Sequence, residues 1–291
     1  MRNRIALGCA AISVAILVVP EALLAEAATG TAHSVQLDGA KVHYTEYGTG
    51  ENGLLFVHGW SCDETFWEGQ APALGSKFHV ITLDLPGHGQ SDKPQIPYTM
   101  DLYARAIDAV LRDAKVKAAV LVGHSNGTPV IRQFYRKFPE KTRALVIVDG
   151  GLRPRGDKAA MEKFIARLKE PNYEENTGKF IDNMTSSIAD TALREKIRTT
   201  MLRTPQYVGM SEFEATLDPE LWKPDKITVP VLMLLAKQPA WNAEYEQFAR
   251  GIVPTLDYQV WEGVSHFLML EKPEEFNRAV VAFLEKHKLA N

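Results

Sequence analysis

The chain has 291 residues, 45% of them hydrophobic and 24% charged, and a formal net charge of −3 at pH 7. That length and apolar content suffice for the core of one large α/β domain, and the slightly acidic balance offers no basic surface for nucleic acid or an anionic membrane. Of the two cysteines, Cys9 and Cys62, only Cys62 lies beyond the N-terminal leader described next, so the mature chain is expected to hold no intrachain disulfide.

Arg2 and Arg4, the apolar stretch from Ile5 to Val19 and the small-residue site Ala25-Glu26-Ala27 have the three parts of a secretory signal. The apolar stretch is too short to span a bilayer comfortably. Residues 1–27 are therefore expected to direct export to the periplasm or the medium, and cleavage would leave the net charge unchanged and no stable membrane span. From Ser34 onward extended and helical signals alternate, which predicts a mostly parallel sheet with helices on both faces. Val35 to Gly39 and Lys41 to Tyr47 read as a hairpin turning at Asp38-Gly39. Further strands are expected at Leu54 to Val57, His79 to Leu83, Ala118 to Val122, Ala144 to Val148, Val229 to Leu235 and Tyr258 to Trp261. Helices are expected from Met100 to Arg112, Asn126 to Phe138 and Pro273 to Lys286. Between Leu152 and Ile227 strand signals vanish and amphipathic helical segments carry Met161, Phe164, Ile165, Leu168, Phe180 and Met184. The division this implies is a core over residues 28–152 and 228–291, with a helical lid at 153–227 inserted in it.

The chemistry concentrates in Gly123-His124-Ser125-Asn126-Gly127, which stands between an apolar strand and an amphipathic helix. A G-x-S-x-G turn in that setting holds its serine on a tight, strained elbow with the hydroxyl projecting into open space. Serine needs a base to take its proton. His266, in Gly263-Val264-Ser265-His266-Phe267 just after the last strand, is the candidate, because strand order brings it over the carboxyl edge of the sheet. Two donors must face the developing oxyanion. The backbone N–H groups of Asn126 and of Trp60, in His58-Gly59-Trp60, are the candidates, and the Trp60 ring either walls the substrate pocket or simply packs.

On these motifs, together with Asp84-Leu85-Pro86-Gly87-His88-Gly89-Gln90-Ser91, the chain resembles the α/β-hydrolases, of the lid-bearing serine hydrolase type, from about Val35 to Leu289. The resemblance implies the α/β-hydrolase fold and a serine–histidine–acid triad. It argues against the haloalkane dehalogenase and epoxide hydrolase branches, whose nucleophile is an aspartate. One position departs from the pattern. Where most of the family carries the acid, after the penultimate strand, this chain reads Ala236-Lys237-Gln238-Pro239-Ala240-Trp241. Asp149, at the end of the preceding strand, takes that role in our reading, with Glu244 and Glu246 in the loop following Trp241 as alternatives.

The expected activity is hydrolysis of a carboxylic ester, or a related acyl bond, of a partly apolar small molecule through an acyl-enzyme. Lactone hydrolysis, perhydrolysis and cleavage of a carbon–carbon bond beside a carbonyl use the same machinery, and a non-catalytic ligand-binding protein is the reading from another class. No metal or cofactor is expected, since no Cys-x-x-Cys, no His-x-x-x-His and no G-x-G-x-x-G joining a strand to a helix is present.

Overall fold

The structure is a computed structural model that describes residues 27–154 and 156–289, so the expected leader lies outside the described residues except for Ala27. Among the described residues there are eight strands: β1 (Thr31–Leu37), β2 (Ala40–Tyr47), β3 (Asn52–Val57), β4 (His79–Leu83), β5 (Ala118–His124), β6 (Thr142–Val148), β7 (Val231–Ala236) and β8 (Leu256–Trp261). They form one sheet in the order β1-β2-β4-β3-β5-β6-β7-β8, in which β1 and β2 run antiparallel and β3 to β8 are parallel. The hairpin turns at Asp38 and Gly39, both at positive φ (51° and 82°), the conformation a two-residue turn needs to match the twist of its strands.

The connecting helices are α1 (Ala71–Gly75), α2 (Met100–Asp113), α3 (Gly127–Lys137), α4 (Lys158–Leu168), α5 (Tyr173–Met184), α6 (Thr191–Met201), α7 (Gln206–Ala215), α8 (Ala243–Ile252), α9 (Leu268–Glu271) and α10 (Pro273–Lys286). Because successive strand side chains point to opposite faces, each central strand feeds two cores. Leu55, Val57, Leu121, Leu145 and Ile147 join α2, α3 and α8 on one side. Leu54, Phe56, Val120, Val122 and Val146 join α1 and α10 on the other. Both faces being covered, the strands read as nearly continuous apolar runs.

The segment after Trp241 is helical rather than a loop. Asn242 caps α8 by accepting a hydrogen bond from the Tyr245 amide at 3.0 Å, and Tyr245, Ala249 and Ile252 bury one stripe of it. Four helices, α4 to α7, stand between β6 and β7, and α7 is bound to the core by polar contacts. Trp60 Nε1 donates to the Gly209 carbonyl (2.8 Å), and in the turn just before α7 the Thr204 hydroxyl donates to the Ser61 carbonyl (3.1 Å). The fully buried Glu212 accepts from the Tyr103 hydroxyl (2.9 Å) and faces His88 Nε2 (3.2 Å), while His88 Nδ1 faces the Pro86 carbonyl (3.2 Å). Burial opposes a charge on His88, but the Glu212 carboxylate outweighs it and holds its pKa above the ordinary value of 6.5. Glu212→Ala removes the carboxylate partner of buried His88 and the acceptor of the Tyr103 hydroxyl, and is expected to lower unfolding stability by about 3–5 kcal/mol in urea titrations; a change below about 1 kcal/mol would show that the pair does not pin α7. Among the described residues no helix is long and apolar enough to cross a membrane.

Candidate active site

Parallel register sets three loops side by side. Val57 pairs with Gly123 and His124 with Val148, so the chain leaves β3, β5 and β6 at one edge of the sheet, carrying His58, Ser125 and Asp149 respectively. Ser125 sits in the left-handed region at φ 51°, and its amide donates to the Val148 carbonyl at 2.9 Å. For a non-glycine residue that backbone costs of order 1–3 kcal/mol. The turn tolerates no side chain on either flank. A Cβ on Gly123 would stand 2.6 Å from the Gly127 carbonyl oxygen, and one on Gly127 would stand 2.7 Å from that of Val57.

His266 follows β8, in a loop braced by Glu271, which accepts from the Ser265 amide (2.7 Å) and hydroxyl. Its Nδ1 lies 2.5 Å from Asp149 Oδ2. A carboxylate can only accept there, so Nδ1 carries the proton of the neutral ring and Nε2 keeps its lone pair. Asp149 is buried, also at positive φ (41°), and its Oδ1 accepts from the Ala236 amide (3.0 Å) and from Trp241 Nε1 (2.9 Å). Glu244 and Glu246 stand elsewhere. Both lie on α8, where Glu244 pairs with Arg153 at 3.1 Å and Glu246 with Arg250 at 2.7 Å, and neither borders the cavity that Ser125 and His266 share. Among the described residues it is Asp149, and neither glutamate, that is hydrogen-bonded to His266.

That cavity has a volume of about 740 Å³, within the range of small-molecule sites. Its apolar wall includes Met161, Met184, Met201, Phe180 and Phe213, supplied by α4 to α7. The Trp60 ring packs on Phe213 (centroids 4.6 Å apart) and Phe180 (5.7 Å), so it both packs and lines the cavity. The buried apolar positions Ile165, Leu168, Ile181 and Ile197 of the same segment face inward instead, as an ordinary core. Trp60 and Asn126 border the cavity beside Ser125, and neither backbone N–H has an acceptor among the described residues. The Asn126 N–H stands at the N-terminus of α3, where the helix leaves its amides unpaired and partially positive.

Two buried histidines frame the site. His58 Nδ1 donates to the Gly59 carbonyl (2.9 Å) and Nε2 accepts from the Leu85 amide (3.0 Å), which fixes the loop bearing Trp60. Burial, followed by the charge of His88, lowers its pKa to about 4. His124 Nε2 donates to the His266 carbonyl at 2.9 Å. Burial and then His266 push its pKa down to about 3. Both are neutral in the folded protein, so protons taken up by the unfolded chain below pH 6.5 pull against the fold as pH falls toward those values. Asp84 opposes this over part of the range, because burial and then Glu64 hold its carboxyl up to about 6. Near pH 5, where His88 is protonated in the folded and unfolded chain alike, the pull of the two neutral histidines exceeds the opposing effect of Asp84. Urea midpoints measured from pH 6 to 4.5 should fall; a flat or rising series would contradict neutral His58 and His124.

Cys62 borders the cavity, but burial raises its thiol pKa well above the ordinary value, and Sγ donates to the Trp60 carbonyl at 3.4 Å. It is an unreactive packing residue. Among the described residues one group, His43, Glu64 and Asp84, has donor atoms close enough to hold a cation, all within 4.8 Å. These side chains already bind each other or protein amides and hydroxyls, and none borders the cavity. The sequence reading missed Gln238 and Trp241, which both donate toward Asp149. The one signal for them was that two hydrogen-bond donors occupy the stretch where a carboxylate was missing.

The sequence pattern of the alpha/beta hydrolase family matches residues 54–279. A 2-hydroxy-6-oxononadienedioate/2-hydroxy-6-oxononatrienedioate hydrolase of Burkholderia vietnamiensis is 26% identical over 291 residues, covering 90% of this chain and 97% of its own. Among solved structures, Est816, an N-acyl homoserine lactone degrading enzyme, superposes with a TM-score of 0.72 at 26% identity over 86% of this chain and all of its own. A thermophilic esterase gives a TM-score of 0.71 at 27% identity over 89% and 99% of the two chains. With sheet order, strand-edge loops and a sequence match over most of its length in agreement, this chain belongs to the alpha/beta hydrolase family.

Proposed function

We propose that the protein is a serine hydrolase that cleaves carboxylic esters, or closely related acyl bonds, of a bulky apolar substrate through an acyl-enzyme. The observation that carries this reading is the 2.5 Å contact between His266 Nδ1 and Asp149 at the floor of a cavity bordered by a strained Ser125. Ser125 Oγ attacks the carbonyl carbon while His266 Nε2 takes its proton, and Asp149 stabilises the imidazolium that forms. The amides of Trp60 and Asn126 receive the oxyanion, and His266 returns the proton to the leaving alcohol. Water activated by the same imidazole then releases the acid. The helical segment 153–227 acts as the lid, and its methionines suit an adaptable apolar wall.

Relatives named for a lactone, an ester and a dioate substrate make all three bond types worth testing. A panel of esters, lactones, amides and vinylogous 1,5-diketones, followed by pre-steady-state kinetics, tests the reading. The expected result is turnover of apolar esters with a burst of about one alcohol per active site before the steady state. Turnover of the diketones alone would replace the ester assignment with carbon–carbon hydrolysis. Export is part of the same proposal: mass spectrometry of the mature protein should find Ala28 at its start, and an intact Met1 would contradict it.

A further inference from the structure

The loop after β7 carries no carboxylate but converges on one. Trp241 Nε1 and the Ala236 amide both donate to Asp149 Oδ1, at 2.9 and 3.0 Å, and Gln238 Nε2 lies 3.3 Å from Oδ2 and 3.4 Å from Oδ1. Oδ2 meets His266 Nδ1. The two carboxylate oxygens therefore have different work. Oδ1 is held by Trp241 and the Ala236 amide, whereas Oδ2 is presented to the imidazole with Gln238 at longer range beside both oxygens. The donors are themselves anchored. The Trp241 ring is buried against Tyr245, with centroids 4.7 Å apart, and the Tyr245 hydroxyl accepts from the Leu152 amide, three residues beyond Asp149, at 2.9 Å. Gln238 borders the cavity itself. An aspartate at the end of β6 has a terminal torsion that is only weakly restrained by the side chain itself, and donors fixed on one oxygen set the plane in which the other faces its partner.

We propose that Gln238 and Trp241 are positioning residues that hold the Asp149 carboxylate in the orientation that engages His266, so that the loop after β7 acts through Asp149 instead of supplying the acid. This rests on Asp149 being the acid of the proposed mechanism. Hydrogen bonds to a charged group are the strong ones, and a misaligned acid leaves the base poorly oriented in the transition state while substrate still binds.

The test uses Gln238→Met and Trp241→Phe, which keep side-chain bulk and remove the donors, in the full-length protein with an ester it turns over. Each is expected to lower kcat about tenfold, and the pair about a hundredfold, with KM within about twofold of wild type. The rate of Ser125 phosphonylation should fall in the same ratio. In an Asp149→Asn background the same substitutions should add no further loss, because their effect passes through the carboxylate. A merely structural role would lower the unfolding midpoint, leave kcat per folded molecule intact and persist in that background. Gln238 is only half-buried, so Gln238→Met decides the matter if Trp241→Phe fails to fold. Wild-type kcat in Gln238→Met and in any folded Trp241→Phe, with Asp149→Asn inactive, overturns this proposal alone. An Asp149→Asn variant at full turnover overturns the mechanism beneath it as well.

Discussion

Ser125→Ala is expected to reduce turnover of every accepted substrate by at least about 10⁴-fold while leaving a folded protein. The magnitude follows from covalent catalysis: without Oγ there is nothing to acylate, and only the oxyanion donors and substrate binding remain to accelerate direct attack by water. Alanine does not relieve the backbone, since the positive φ of the elbow is as unfavourable for Ala as for Ser, so stability should change by less than about 1 kcal/mol. KM should move little, because the apolar wall that binds substrate is untouched. Turnover within tenfold of wild type, on protein shown to be folded by its urea midpoint, would mean that Ser125 is not the nucleophile.

Asp149→Asn is expected to cost about 10³–10⁴ in kcat, whereas Glu244→Gln and Glu246→Gln stay within about twofold of wild type. An asparagine at 149 keeps the shape but loses the charge that stabilises an imidazolium, and it can present an NH₂ to Nδ1, which favours the wrong tautomer. The two glutamates instead form surface pairs with Arg153 and Arg250, and pairs of that kind contribute little. A glutamate variant that loses orders of magnitude while Asp149→Asn stays active would reverse the assignment.

Features with a local physical signature were legible from the sequence, and those made by distant chain segments were not. The strand at His79–Leu83 and the helix at Pro273–Lys286 were located to the residue, because continuous apolar runs and a helical period bounded by Pro leave little choice. Ser125 and His266 came from motifs whose spacing reflects a tight turn and a strand end. Asp149 was a choice among three carboxylates, and what favours it is the register of β6 between β5 and β7, which no local pattern encodes. The α8 helix was hidden because Pro239 and Asn242 look like loop residues, although Asn242 is in fact its cap. The pairing of Glu212 with His88 joins residues 124 apart in sequence. It leaves no periodicity to find, and a charged residue on the α7 helix looks like solvent-facing surface until the fold buries it.

In the proposed mechanism Ser125 is an activated nucleophile, and active-site titration with a fluorophosphonate followed by peptide mass spectrometry reads that reactivity out. About one equivalent of adduct per chain is expected, carried on Ser125 and absent from Ser125→Ala. A folded protein that takes up no reagent, or one labelled equally in the alanine variant, would contradict it and leave a ligand-binding protein with a hydrolase fold.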